Sequence, residues 1–326
     1  MQRLLLVLVL AALGGGGWVF TQKYQIAGLE KIAVVPRGAA APNETQYGPP
    51  PLERSTAAIR IASFNIQVFG TSKLSNPRVA NILAEIVRRF DVVAIQEIRA
   101  KTPDVLPRFV DLINSTGRHY DFVVGPRLGR TSSKEQYAFI YDSASIETDR
   151  AALYTVADPD DLLHREPLVA WFRVRGPPPE QAFTFTLINI HTDPDETRTE
   201  LDALAGVYRA VRSDGRTEDD VILLGDLNVD DRHLGKLGEV PQILWAVSGV
   251  PTNTRGDKLY DNMLFSQTAT SEFMGRAGVF DMIREFNITM DEALRVSDHM
   301  PIWAEFSIYE GGQPGRIATK PAEPAK

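Results

Sequence analysis

Short apolar runs of β type recur along this chain, at residues 59–66, 92–96, 122–124, 138–141, 169–174, 183–190, 221–224, 263–265 and 302–308, with turn residues at their ends. Runs this short build sheets, because a helix needs a longer periodic stretch to bury a face. Helical periodicity separates some of them. Residues 77–90 put Val79, Ile82, Leu83, Ile86 and Val87 on one face behind Pro77, and residues 199–213 do so through Leu201, Leu204, Val207 and Val211. Strands covered on one face by a partner sheet, with helices outside, imply an α/β fold of two packed mixed sheets. At 44% hydrophobic and 24% charged residues, the chain has the apolar content for such a body, which excludes disorder throughout.

The two ends read differently. Arg3 precedes an apolar stretch from residue 4 to 13, four glycines and Trp18, Val19 and Phe20, so residues 1–22 are expected to be a signal peptide or a membrane anchor. The expected destination is outside the cytoplasm: secreted, periplasmic, or tethered to a membrane through residues 4–20. Residues 23–58 carry Pro36, Gly38, Pro42 and Pro49 to Pro51 with little periodic hydrophobicity, and read as a flexible linker. Residues 310–326, rich in Gly, Pro, Ala and Lys, read as a disordered tail, leaving residues 59–309 as the folded domain. There is no cysteine, so disulfides and thiolate metal sites are unavailable. A net charge of −7 argues against holding nucleic acid by bulk positive charge, yet is compatible with an enzyme that uses a few local arginines and carboxylate-held cations.

The polar residues that interrupt the strands cluster at the C-terminal ends of the apolar runs. Asn65 closes one, Glu97 another, His191 a third, and Asp226 with Asn228 a fourth, while Ser297, Asp298 and His299 precede the last run. Each piece alone has a bland explanation, a solvated carboxylate or a plain turn. Together, an Asn, Glu, Asp, Asn, Asp set offers carboxylate and amide oxygens, which suit Mg²⁺ rather than Zn²⁺.

In this order the motifs Ser63-Phe64-Asn65-Ile66, Ile95-Gln96-Glu97, Asn189-Ile190-His191, Gly225-Asp226-Leu227-Asn228 and Ser297-Asp298-His299 resemble those of the endonuclease/exonuclease/phosphatase superfamily. Longer stretches resemble its deoxyribonuclease I branch: residues 64–70, 86–91, 129–137, Arg165-Glu166-Pro167 and Leu259-Tyr260-Asp261. The resemblance covers residues 59–308. It implies a four-layered α/β sandwich and makes residues 59–309 a catalytic domain that cleaves DNA with little sequence preference, leaving 5′-phosphate ends. It further implies that His299 with Asp261 helps to activate the attacking water and that His191 with Glu135 protonates the leaving 3′ oxygen. Glu97 with Asn65 would hold one divalent ion, and Asp226, Asn228 and Asp298 would surround the phosphate or a second ion. The implied cofactor is Mg²⁺, with Mn²⁺ able to substitute. Arg99 matches a position that reaches into the minor groove, and Arg130 and Arg165 match positions near backbone phosphates; guanidinium suits both tasks.

The chain departs from the branch in places. Ser133 stands where mammalian members have a tyrosine that stacks in the groove, and the absence of cysteine puts the branch's disulfide-stapled calcium loops in doubt, leaving Ca²⁺ without support. The acidic residues 193–196 after His191 read either as ligands for an additional cation or, the preferred reading, as the start of the next helix, capped by Thr197 or Asp195. A monomer with DNA as its partner is expected, with no protein partner evident. Two other readings compete: an exported phosphomonoesterase or sphingomyelinase-like phosphodiesterase with the same site, and an inactive scaffold that binds nucleic acid or protein.

Overall fold

The computed structural model describes residues 57–130 and 134–313, together with two short strands nearer the N-terminus, β1 (Tyr24–Ala27) and β2 (Ala33–Pro36). These two pair antiparallel, Tyr24 opposite Pro36, and belong to the first of two units into which the chain divides. They fall within the stretch read as linker, whose prolines concealed two segments carrying Ile26, Val34 and Val35. The expected export segment, residues 1–22 with its tether at 4–20, lies outside the described residues, as do Ser133 and residues 314–326 of the expected tail. Among the described residues no helix is long and apolar enough to cross a membrane.

The second unit contains two mixed sheets. One has the order β14 (Phe273–Val279), β15 (Ile302–Ser307), β3 (Ala58–Phe69), β4 (Val92–Ile98), β6 (Gln136–Asp142) and β5 (Tyr120–Val124). The other runs β12 (Ile243–Trp245), β13 (Asp261–Ser266), β11 (Val221–Asp226), β10 (Thr184–His191), β9 (Leu168–Val174) and β7 (Ile146–Thr148), with β8 (Tyr154–Thr155) also paired to β9. Among the described strands, only the β3–β4 and β10–β11 pairs are parallel.

Period-two alternation assigns the faces. Along β11, Ile222 and Leu224 join the core shared with the first sheet, while Val221 and Leu223 pack under the helix Thr197–Arg212 with its Leu201, Leu204 and Tyr208. On β10, Phe185 and Leu187 face the shared core and Ile188 and Ile190 face the helix. The helices Pro77–Val87 and Val105–Asn114 bury Leu83, Ile86, Phe109 and Ile113 in the core of the first sheet. The result is the expected order of helices, sheet, sheet and helices. The core-facing positions that follow Leu187 on β10 and Leu224 on β11 are Asn189, His191 and Asp226, so polar side chains begin where the shared apolar core ends.

Two backbone features set the polar end. Gly225 adopts φ +151°, and a Cβ there would lie 1.9 Å from the carbonyl oxygen of Ile190 on the adjacent strand. Only glycine allows that approach. The β3–β4 ladder slips between Asn65 and Phe69, and Glu97 takes φ +59°. A bulge of this kind redirects a side chain that strict alternation would turn away. Gln96, still in register opposite Asn65, reaches Asn189 across the sandwich at 2.6 Å, while Glu97, past the slip, turns to Asn65 at 3.4 Å.

Gly225→Ala is expected to destabilise the protein by at least about 2 kcal/mol in urea denaturation, since it combines a left-handed backbone with a steric overlap. A variant as stable as the parent would show that the β10–β11 approach is not as tight as this geometry requires.

Candidate active site

Strand register assembles the site. His191 on β10 pairs with Asp226 on β11, and Asp226 pairs with Asp261 on β13, which aligns three chemistry-bearing residues across adjacent strands. The first sheet contributes Asn65, whose amide Nδ2 donates to Asp226 Oδ2 at 2.9 Å and reaches Glu97 Oε1 at 3.4 Å. His299 follows the helix Met290–Val296, which is fixed by a capping box between Thr289 and Glu292. The Ser297 hydroxyl donates to the Asn65 carbonyl at 2.7 Å and accepts from the His299 backbone N–H at 3.1 Å, tying this loop to β3.

Two imidazoles converge on one carboxylate oxygen. His191 Nε2 lies 3.5 Å and His299 Nε2 3.4 Å from Asp226 Oδ2. On the far side of each ring, Nδ1 meets a buried acid: Glu135 at 2.8 Å for His191 and Asp261 at 2.9 Å for His299. A carboxylate there selects the tautomer with hydrogen on Nδ1 and leaves Nε2 for chemistry. Each acid is itself held. The Thr252 hydroxyl donates to Asp261 Oδ2 at 2.7 Å and accepts from the backbone N–H groups of Tyr260 and Asp261. Arg165 lies 3.4 Å from Glu135 Oε2 and donates to the His191 carbonyl, and the Tyr137 hydroxyl accepts the His191 backbone N–H at 2.9 Å.

Charge balance follows from burial. Burial opposes a charge on His299, but Asp261 and Asp226 outweigh it and push the ring up to about 10. His191 is likewise opposed by burial and raised by Glu135 and Asp226. Burial drives the Asp226 carboxyl up, with Asp261 adding to it, against the pull of both imidazoles. For Glu97, burial raises the carboxyl but His191, the Val68 N–H, Arg99 and Asn65 outweigh it, so it sits below its ordinary value. The donor set suits a hard divalent ion. Asn65 Oδ1 and Asp298 Oδ1 are buried oxygens that accept no hydrogen bond; the Asn65 amide contacts the carboxylates of Glu97 and Asp226, and Asp298 Oδ1 lies 3.9 Å from His299 Nε2. Asp226, Asp261 and His299 also offer ligand atoms within 4.8 Å of one another; Asp261 Oδ2 is engaged by Thr252 and His299, while its buried Oδ1 accepts no hydrogen bond.

The remaining expected residues divide. Asn228 takes φ +52°, donates from its side-chain amide to the Thr192 carbonyl at 2.9 Å and from its backbone N–H to Asp226 Oδ1, which places it at the rim of the cluster. Asp298 accepts from Gln67 Nε2 at 2.8 Å. Arg99 sits 3.0 Å from Glu97 and 3.9 Å from Glu135, partly exposed at the lip. Arg130 pairs instead with Asp161 and Glu196, outside this cluster of contacts. Arg165, expected near backbone phosphates, is only 5% exposed and contacts Glu135 and the His191 carbonyl from within the protein. The capping expected from Thr197 or Asp195 is also absent. Glu196 occupies the N-cap without a side-chain bond, and the Thr197 hydroxyl donates back to the Asp193 carbonyl at 2.9 Å. Of the other histidines, His164 is buried 3.5 Å from Asp193, whereas His233 is exposed.

Several contributors were not singled out from sequence. Gln67 and Tyr137 stand inside motif stretches, which was the available signal. Lys73 donates to the carbonyls of Gln67 and Val296; burial lowers it to about 8 against the raising influence of Asp298 and Glu97. Thr252 and Lys73 had no local signal, since their partners lie in other segments.

Buried acid-backed histidines at the polar end of a two-sheet α/β sandwich define a hydrolase-type centre. The family model described as "Endonuclease/Exonuclease/phosphatase family" matches residues 62–299, and the chain belongs to that family. It is 32% identical over 264 residues to mouse (Mus musculus) deoxyribonuclease gamma, covering 76% of this chain and 84% of that protein. It is 33% identical over 276 residues to human deoxyribonuclease-1-like 2, covering 76% and 91%. Among solved structures, an endonuclease/exonuclease/phosphatase family protein of Bacteroides thetaiotaomicron superposes with a TM-score of 0.53 at 17% identity, covering 77% of this chain and 98% of that one. A mannosyl-6-phosphatase of the same organism gives 0.52 at 17%, covering 76% and 98%. These two likenesses establish the fold alone.

The raised His299 pKa makes a signed prediction for the ion-free protein. A ring whose folded value is about 10 against an ordinary 6.5 stabilises the fold fully below pH 6.5, and that contribution is lost as pH rises towards 10. In urea denaturation with EDTA, the stability advantage of the parent over His299→Gln should therefore shrink steadily across that window. A difference that stays constant or grows would contradict the charge balance.

Proposed function

We propose that this chain is a divalent-metal-dependent DNA endonuclease that hydrolyses phosphodiester bonds with little sequence preference and leaves 5′-phosphate ends. The observation that carries this reading is the pair of acid-backed imidazoles whose Nε2 atoms flank a single oxygen of Asp226. In-line phosphodiester hydrolysis needs a proton taken from water on one side of phosphorus and a proton given to the leaving oxygen on the other. Two rings facing each other across one buried carboxylate are arranged for that exchange. The similarity to proteins named deoxyribonucleases supports DNA as the substrate.

In this proposal His299, oriented by Asp261, accepts the proton of the attacking water at Nε2. His191, kept protonated by Glu135, delivers its Nε2 proton to the 3′ oxygen as the bond to phosphorus breaks. Asn65 and Glu97 would hold Mg²⁺, with Asp226 and Asp298 available to it; the ion supplies positive charge to the phosphoryl oxygens and acidifies bound water. Answering the charge of Asp226 also frees His299 to act as a base. Asn228 and the backbone beside it line the rim where the ester would lie. Arg99, at the lip, is the residue placed to enter a groove of the duplex, reading shape more than bases. Residues 1–22 direct the enzyme out of the cytoplasm.

Nicking of supercoiled plasmid under Mg²⁺ or Mn²⁺ titration, with EDTA as control, tests the reading. His191→Ala and His299→Ala should each lower the rate by roughly 10²–10⁴-fold while the proteins remain folded. Normal turnover by either variant would discredit the assignment. Cleavage of sphingomyelin or a phosphatidylinositol phosphate in preference to plasmid would move the substrate to lipid.

A further inference from the structure

A second polar cluster lies at the opposite end of the sandwich. Asp220 immediately precedes β11, Glu272 immediately precedes β14, and Glu310 follows β15. Six residues of extended strand separate Asp220 from Asp226, roughly 20 Å, so this cluster is remote from the candidate active site. Asp220, Glu272 and Glu310 each place a carboxylate oxygen within 4.8 Å of the others, and Glu218, Asp219 and Asp220 form a second such group. Asp220 belongs to both.

An acidic cluster at a surface needs no ion, but this one is not at the surface. Asp220 and Glu272 are each only 1% exposed. Neither Asp220 oxygen, nor Glu272 Oε2, accepts a hydrogen bond from a described donor. Among the described residues no lysine or arginine forms an ion pair with Asp220, Glu272, Glu310, Glu218 or Asp219. The donors that reach the cluster serve its other oxygens: the Asp220 backbone N–H bonds Glu218 Oε1 at 2.9 Å, Trp171 Nε1 bonds Glu218 Oε2 at 3.0 Å, the Gly311 N–H bonds Glu272 Oε1, and the Thr184 N–H reaches Glu310 Oε2 at 3.4 Å. A buried carboxylate with both oxygens unanswered requires either a proton or a cation.

We propose that Asp220, Glu272 and Glu310, with Glu218 and Asp219 at the rim, form a structural binding site for a hard divalent cation, Ca²⁺ in particular. Three to five carboxylates drawn from separate segments give the irregular, all-oxygen set that Ca²⁺ accepts, and the burial of Asp220 and Glu272 leaves little room for the waters that Mg²⁺ retains. The ligands come from both sheets, since β11 belongs to one and β14 and β15 to the other. An ion there ties the sheets together at the end away from the active site, a cross-link suited to a chain with no cysteine. The same crowding explains why burial, then the charge of Glu272, pushes the Glu310 carboxyl up to about 8 when only protons are available.

The test uses the full chain, freed of divalent ions and titrated with Ca²⁺ alone. The melting midpoint should rise by roughly 5–10 °C at saturation. Asp220→Asn and Glu272→Gln should each lose most of that shift, whereas Glu97→Gln in the candidate active site should keep it. Terbium ion, a luminescent stand-in for Ca²⁺, should emit on tryptophan excitation through Trp171, and that emission should fall in Trp171→Phe and Asp220→Asn. Should Asp220→Asn fail to fold, Glu310→Gln at the half-buried rim carries the same comparison. No Ca²⁺ shift in the parent, a shift that survives in Glu272→Gln and Glu310→Gln, or one abolished by Glu97→Gln would each overturn the proposal. So would amide variants that are simply more stable with and without Ca²⁺, which would mark a proton-sharing cluster.

Discussion

The candidate active site depends on keeping a charge on Asp226. This carboxylate is 1% exposed, and taking such a group out of water costs several kcal/mol unless polar neighbours answer it. Asn65 answers from the first sheet by a hydrogen bond, and His191 and His299 answer from either side with rings that their own acids keep cationic. Each partner is positioned by a different element, so the charge network requires both sheets to be in place at once. Conversely, the register that sets His191 beside Asp226 and Asp226 beside Asp261 is enforced by strand pairing and by the Gly225 contact, not by loops. Rigid elements hold reacting groups to tighter tolerances than loops do.

Much of this was legible in the sequence, for a physical reason. Apolar runs such as residues 183–190 and 221–224 are buried on both faces, so their boundaries appear as a change from apolar to polar residues, and the site begins at that change. Strands that lack such contrast escaped notice. β14 contains Gly275 in a positive-φ conformation and a register shift, and β12 is three residues long. The helix Val105–Asn114 carries its apolar stripe on Val105, Leu106, Phe109, Val110 and Ile113, but Pro107 in its first turn breaks the pattern a reader follows.

Residue roles were legible only where a motif carried them. His191 with Glu135 and His299 with Asp261 stand in the contacts that the resemblance implied. Thr252 could not be found, because its partner Asp261 is nine residues away and the contact exists only after the loop closes. Arg165 was expected near backbone phosphates by resemblance; its burial is a property of the packed chain, and the carbonyl of His191 with the acid of Glu135 makes it tolerable.

The two ends of the sandwich make the electrostatic logic explicit. Both gather buried carboxylates where strands terminate, yet only one end has histidines, an asparagine and Arg99 to answer them. At that end the protein's own cations leave acidic oxygens partly satisfied and Nε2 atoms available, a poised state suited to chemistry. At the other end, with no ion pair from the described residues, the carboxylates can be satisfied only by protons or by an ion. The contrast also shows how the net charge of −7 is distributed: Arg99 at the lip is matched with Glu97, and Arg130, outside the cluster, with Asp161 and Glu196, so neither stands as an unanswered surface cation.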